Sequence, residues 1–133
     1  MMRKYQAKEL PPKGHFHYTQ GVFLLGVNDI YEICHEEKYF SYIKHWVDSV
    51  MDEEGGFYFC RPEGDLDDIQ PGRLLFSLYD KTGEEKYRRA LEQLMSSLKR
   101  YPKNSQGGYW HKDIFMNQMW LDGLYMAGPI SAE

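Results

Sequence analysis

Three short groups of polar residues break an otherwise aromatic-rich chain: His15, His17, Tyr18 and Gln20; Asp65, Asp67, Asp68 and Gln70; and His111, Lys112, Asp113 and Gln118, with Asp122 close behind. Carboxylates beside imidazole and ammonium groups are the parts needed for general acid–base chemistry and for gripping an anionic ligand. Asp122 carries the most specific signal. It stands inside Met119-Trp120-Leu121-Asp122-Gly123-Leu124-Tyr125-Met126. A carboxylate set among apolar and aromatic groups is either paired or holds its proton to a higher pH, and the second state suits a general acid.

Plainer readings stand beside these. Asp65, Asp67 or Asp68 also fits as the N-cap of a following helix. Lys112 and Asp113 also read as a solvated loop pair. His15 and His17 alternate as a metal-ligand pair would, but no Cys or further His lies at ligand spacing, so no metal and no cofactor is expected. Cys34 and Cys60 lack a neighbouring base signature and are expected to be inert.

The elements that must position these groups are helices. Tyr39, Tyr42, Ile43, Trp46, Val47, Val50 and Met51 form the stripe of an amphipathic helix, as do Tyr87, Ala90, Leu91, Leu94, Met95, Leu98 and Tyr101. The two stripes match at an offset of 48 positions, Tyr39 against Tyr87 and Val50 against Leu98. The preceding residues match as well: Ile30-Tyr31-Glu32 answers Leu78-Tyr79-Asp80, and Glu36-Glu37-Lys38-Tyr39 answers Glu84-Glu85-Lys86-Tyr87. An internal repeat of this length signals stacked helix pairs. The partner stretches, Gly21 to Ile33 and Gly72 to Tyr79, are apolar around most of their circumference and are expected to be buried on nearly all sides. A third such stretch begins near Gln118, and a glutamine opens each one (Gln20, Gln70, Gln118). Gly55-Gly56 and Gly107-Gly108 mark the returns between pairs, each followed by a short aromatic run that fits a brief extended piece.

Inner and outer helices in alternation, with heavily buried inner ones, predict an all-α toroid of the (α/α)6-barrel type. Residues 1–133 read as a single domain with about two and a half of its hairpins. Parallel inner helices would bring the three polar groups to one mouth, where helix N-termini favour an anionic ligand. The chain carries 16 basic and 20 acidic residues, for a net charge of −4, and has no basic block. A nucleic-acid partner is therefore not expected. Its longest apolar stretch, Gly21 to Val27, is too short for a membrane span, and no signal peptide is visible in MMRKYQAKELPPKG, so a cytoplasmic protein is the expectation.

Four stretches carry a family likeness: His17-Tyr18-Thr19-Gln20-Gly21-Val22-Phe23; Leu66-Asp67-Asp68-Ile69-Gln70-Pro71-Gly72; Gly107-Gly108-Tyr109-Trp110-His111-Lys112-Asp113; and Gln118 through Pro129 with its Trp120-Leu121-Asp122-Gly123 block. They resemble glycoside hydrolase family 105, the unsaturated rhamnogalacturonyl hydrolases, which are related to the unsaturated glucuronyl hydrolases of family 88. The resemblance implies an (α/α)6 barrel, of which this chain would be the N-terminal portion. It also implies release of a 4,5-unsaturated uronic acid from pectin-derived oligosaccharides by hydration of the C4=C5 bond. By position, Asp122 looks like the acid/base, Asp67 like the second aspartate that holds sugar hydroxyls, and Tyr18, His111 and Lys112 like substrate contacts. Gln118 and Trp120 would help shape the pocket. The alternative expectation is a catalytically inactive helical domain that binds sugar or self-associates through its open edge.

Overall fold

The computed structural model describes residues 2–132. Five α-helices follow in order: α1 Tyr18–Cys34, α2 Glu37–Val50, α3 Arg73–Thr82, α4 Glu85–Arg100 and α5 Leu121–Ala132. Single-turn 3₁₀ segments precede α1 (Ala7–Glu9) and α3 (Leu66–Asp68 and Gln70–Gly72). Among the described residues there is no strand, only isolated bridges joining Met51 to Phe57, Asp65 to Lys112 and Lys103 to Tyr109. The aromatic runs after the glycine pairs therefore contribute single bridges rather than extended pieces.

Antiparallel hairpins α1–α2 and α3–α4 are the two repeats, and α1 also packs on α3. Both hairpin bends use the same device. The residue after the inner helix adopts a left-handed backbone and its N–H closes the last turn: His35 (φ 53°) bonds the Tyr31 carbonyl, and Gly83 (φ 67°) bonds that of Tyr79. Each outer helix ends in a polar return turn. Asp52 Oδ1 accepts from the N–H groups of Glu54 and Gly56 (2.9 and 2.8 Å), and Asn104 Oδ1 accepts from those of Gln106 and Gly108 (3.0 and 2.9 Å). Gly55 needs its missing side chain twice over. Its φ is +88°, and a Cβ there would sit 2.7 Å from the Lys86 carbonyl oxygen.

The outer helices bury the stripes that the periodicity predicts: Phe40, Ile43, Trp46, Val47 and Val50 on α2, and Tyr87, Ala90, Leu91, Leu94 and Leu98 on α4. Trp46 anchors the first hairpin. It is stacked on Phe16 at 5.7 Å, and Phe16 meets Phe57 at 4.3 Å. Truncating such a buried indole costs about 3–5 kcal/mol.

The inner helices differ from expectation. On α1 only Gln20, Gly21, Leu24 and Val27 are buried, while Val22, Ile30 and Ile33 are exposed, Ile33 at 83%. On α5 Leu121, Leu124 and Tyr125 are exposed, while Gly123, Met126, Ala127 and Ile130 are buried. An apolar circumference does not bury itself. α1 and α5 each leave part of that circumference open to solvent, whereas α3, packed between α1 and α4, buries Leu74, Leu75 and Leu78 as expected.

The third inner helix also starts later than the sequence pattern placed it. Asn117 holds a left-handed φ of 60°, so Gln118 lies in the preceding turn, and Asp122 is the second residue of α5 rather than a turn inside it. No helix among the described residues is long and apolar enough to cross a membrane.

Candidate active site

Backbone pairing between two loops builds the floor of the site. The Asp65–Lys112 bridge is extended by Leu66 N–H to the His111 carbonyl (3.3 Å) and Asp113 N–H to the Gly64 carbonyl (2.9 Å). The Tyr101 hydroxyl, at the end of α4, donates to the same His111 carbonyl at 3.2 Å, and His111 N–H bonds the Gln118 carbonyl at 2.8 Å. The loop before α3 and the loop before α5 are thereby fixed to each other and to the end of the second hairpin.

This framework places Asp67, His111, Lys112 and Asp122 together. His111 is 2% exposed, and its ring lies between two carboxylates: Nε2 is 3.7 Å from Asp67 Oδ1, and Nδ1 is 3.6 Å from Asp122 Oδ1. Both separations lie just beyond hydrogen-bonding reach. Nδ1 is buried and has no hydrogen-bond partner among the described residues. Asp67 also faces His17 Nε2 at 3.8 Å, so the residues before α1, α3 and α5 share one rim.

Lys112 is already engaged. Its ammonium donates to Asp65 at 2.6 Å and to Asp67 at 2.9 Å. Burial alone would lower its pKa, but the hydrogen bonds to the two aspartates outweigh burial, and the net shift is upward. The ammonium therefore stays charged and pins Asp67. Asp113 pairs with Arg61 at 2.8 Å instead, so the reading of Lys112 and Asp113 as a mutual solvated pair is corrected.

The capping reading is corrected in its target. Asp65 accepts from the Asp67 N–H at 3.0 Å and so caps the 3₁₀ turn Leu66–Asp68, not α3. The Asp68 carboxylate accepts from the Arg61 N–H at 2.6 Å, and burial holds its pKa above the usual range despite that bond.

Asp122 is set differently from the sequence expectation. It is exposed, with 53% of its side chain open to solvent, and its neighbours Leu121, Leu124 and Tyr125 are exposed with it rather than packed around it. Beside it, Gly107, Gly108, Tyr109, Met119, Gly123 and Leu124 are among the residues lining a cavity of about 260 Å³.

Trp120 stacks nearly parallel on the His111 ring (4.2 Å, 10°) and also meets Phe115 (5.3 Å, 19°), while its indole N–H donates to Gln118 Oε1 at 3.1 Å. Tyr18 is half-buried at the start of α1, with its ring against His17 at 4.6 Å. His15 stands apart on Phe59. Gln20 and Gln70 are buried, the first donating to the Pro12 carbonyl at 2.5 Å and the second to the Tyr125 hydroxyl at 3.5 Å. Burial pushes the Cys60 thiol far up, which keeps it unreactive.

Sequence reasoning missed Arg61 and Phe115. Neither has local spacing that marks it, since the Asp113 and Trp120 contacts form only when distant loops meet.

The whole chain, residues 1–133, matches the family model described as Glycosyl Hydrolase Family 88. It is 31% identical over 114 residues to the unsaturated rhamnogalacturonyl hydrolase YesR of Bacillus subtilis (strain 168), which covers 81% of this chain and 31% of that protein. A solved glycoside hydrolase from family 105 of C. acetobutylicum ATCC 824 superposes with a TM-score of 0.88 at 31% identity, over 98% of this chain and 35% of that one. The chain thus spans about a third of the length of these relatives. Its helical hairpins and its sequence lead to one assignment: the chain belongs to the glycoside hydrolases of families 88 and 105.

Proposed function

We propose that this chain supplies the acid-bearing rim of a hydrolase that releases a 4,5-unsaturated uronic acid from the non-reducing end of pectin-derived rhamnogalacturonan oligosaccharides. The observation that carries the reading is the flanking of one buried imidazole by Asp67 and Asp122, at 3.7 and 3.6 Å, on a rim shared by three helix starts. In this proposal residues 1–133 are a single domain, the N-terminal portion of the barrel.

Asp122 is the acid. Protonation of C4 of the vinyl ether leaves positive charge at C5, and the resulting carboxylate then draws a proton from the water that attacks C5. The hemiketal opens and the remaining sugar leaves. No covalent sugar–enzyme bond is required, so the two carboxyl groups need not meet the spacing that ordinary glycosidases obey. Solvent exposure suits the second half of the cycle, since Asp122 must meet water. Asp67, pinned by Lys112, is placed to accept hydrogen bonds from sugar hydroxyls. Tyr18, His111, Lys112, Gln118 and Trp120 are proposed to contact the substrate. Lys112 would meet the uronate carboxylate while keeping its two aspartate partners.

The test is loss of C=C absorbance when an unsaturated rhamnogalacturonan disaccharide is the substrate. Asp122→Asn abolishes turnover on this reading, and turnover that persists in the variant removes Asp122 from the role of acid.

A second reading is favoured by the uncovered apolar faces of α1 and α5. It makes the chain a non-catalytic helical domain that binds sugar or self-associates. Saturable sugar binding without turnover, or a concentration-dependent sedimentation coefficient in an inactive chain, would select it.

A further inference from the structure

The N-terminal segment is charged unlike the rest of the chain. Residues 1–13 hold four of the 16 basic residues and one of the 20 acidic ones, although the chain as a whole carries a net charge of −4. The fold ties this segment to the outer face of the first hairpin. Ala7 and Leu10 are buried, the turn Ala7–Glu9 packs on α2, and the Tyr42 hydroxyl donates to the Tyr5 carbonyl at 2.9 Å. Burial raises the Tyr42 pKa, so that hydroxyl keeps its proton and the anchor adds no negative charge.

A cleft of about 720 Å³ lies between the segment and the helix. Among its lining residues, Arg3, Lys4, Tyr5 and Lys8 come from the segment, and Tyr42 and His45 from α2. Arg3, Lys4 and Lys8 are exposed and form no ion pair among the described residues, and the Lys4 ammonium lies over the Tyr5 ring at 5.2 Å. Lys112 and Arg61, by contrast, are held by carboxylates. Asp48 also borders the cleft, but Lys44 and Lys86 hold it at 2.9 and 3.0 Å, so its charge is balanced.

Uncommitted cations beside phenol rings recognise a sugar that bears carboxylates. A tyrosine ring suits the apolar face of a pyranose, and the ammonium and guanidinium groups attract its carboxylates. A small inorganic anion would leave the rings unused. A protein of net negative charge repels an anionic polymer at long range, and a locally positive segment offsets that repulsion.

We propose that this cleft is a second saccharide site, outside the candidate active site, which holds an acidic uronate oligosaccharide against α2 through Arg3, Lys4 and Lys8. None of its lining residues belongs to the rim of Asp67, His111 and Asp122. The inference takes its ligand class from the proposed function, but its site and its test do not depend on turnover.

The experiment is an NMR titration of the full chain with a saturated tetragalacturonate, which has no C4=C5 bond to hydrate. Amide signals are expected to move in residues 3–8 and around Tyr42 and His45. Arg3→Ser, Lys4→Ser and Lys8→Ser combined in one chain are expected to weaken binding at the cleft about tenfold, as the loss of three exposed ionic contacts should. Added salt weakens it in the same direction. Lys99→Ser, which removes an exposed cation from α4, is expected to leave the affinity within about twofold.

Shifts confined to the rim, or an affinity unmoved by the triple substitution, overturn the site. Equal binding of polyglutamate of matched charge overturns the saccharide assignment, because the cleft would then read charge alone. Equal binding of neutral maltotetraose overturns the role of the cations. Cleft binding without turnover of the unsaturated disaccharide would leave this inference standing and remove the proposed function. Turnover without cleft binding would do the reverse.

Discussion

Glu36-Glu37-Lys38-Tyr39 and Glu84-Glu85-Lys86-Tyr87 carry the same residues at the same point of their hairpins, and the fold treats them oppositely. The Lys38 side chain is 60% exposed and, among the described residues, pairs with Glu36 and lies over the ring of Tyr39. The Lys86 side chain is 7% exposed and binds Asp48 of α2 at 3.0 Å, Glu53 at 3.3 Å and Glu84 at 3.5 Å. Tyr87 is fully buried and donates to the same Asp48 at 2.7 Å, and Lys44 ties Asp48 to Glu84. Both motifs start an outer helix with an acidic first turn, which suits its positive end. What differs is the neighbour. α4 reaches Asp48 of α2 through Lys86 and Tyr87, whereas among the described residues the element before α1 that packs on α2 is the 3₁₀ turn Ala7–Glu9. The motif encodes the helix start, and position in the array decides whether its lysine is a solvated cation or a buried clasp.

The largest test of that contrast is Lys86→Ala, expected to cost about 1.5–3 kcal/mol because the half-buried Asp48 loses one of its three partners, keeping Tyr87 and Lys44, as read by urea unfolding. Equal costs for Lys86→Ala and Lys38→Ala would break the comparison.

Acid gives a smaller effect of defined sign. Burial tends to raise the Asp48 pKa, but the bonds from Tyr87, Lys44 and Lys86 outweigh it and leave the pKa lowered in the fold. The clasp's contribution is therefore present above the unfolded carboxylate value and is lost as pH falls through the folded one. Unfolding midpoints taken from neutral pH downward should fall less steeply in Asp48→Asn than in the unsubstituted chain.

Next comes the hairpin bend, where His35 occupies the left-handed position that Gly83 fills in the second repeat. His35→Gly removes that backbone strain and is expected to stabilise by about 0.5–1 kcal/mol, visible as a raised thermal midpoint. The mildest change is Lys38→Ala, expected to stay within about 0.5 kcal/mol.

The same distinction explains what could be read from residues alone. Helix identity, the hairpin order and the stripes on α2 and α4 were legible because they depend on local periodicity. The meeting of Asp67, His111 and Asp122 followed from the repeat, since equivalent helix starts lie at equivalent heights. Other features were not legible. Lys86 looked like Lys38 until a neighbour was present. The apolar circumferences of α1 and α5 reported capacity for burial rather than burial itself. The late start of α5 depended on Asn117 taking a left-handed turn that no spacing announces. The stack of His111 on Trp120 was hidden for a further reason, because the loop between them doubles back.

The return turns after α2 and α4 show what this architecture tolerates. Asp52 and Asn104 perform the same task with one side-chain oxygen each, although only one of them carries a charge. Acceptor geometry is the requirement there, and ionisation is incidental. Conversion of Asn104 to aspartate by deamidation with age would thus leave the second turn formed, altering the net charge of the molecule and little of its shape.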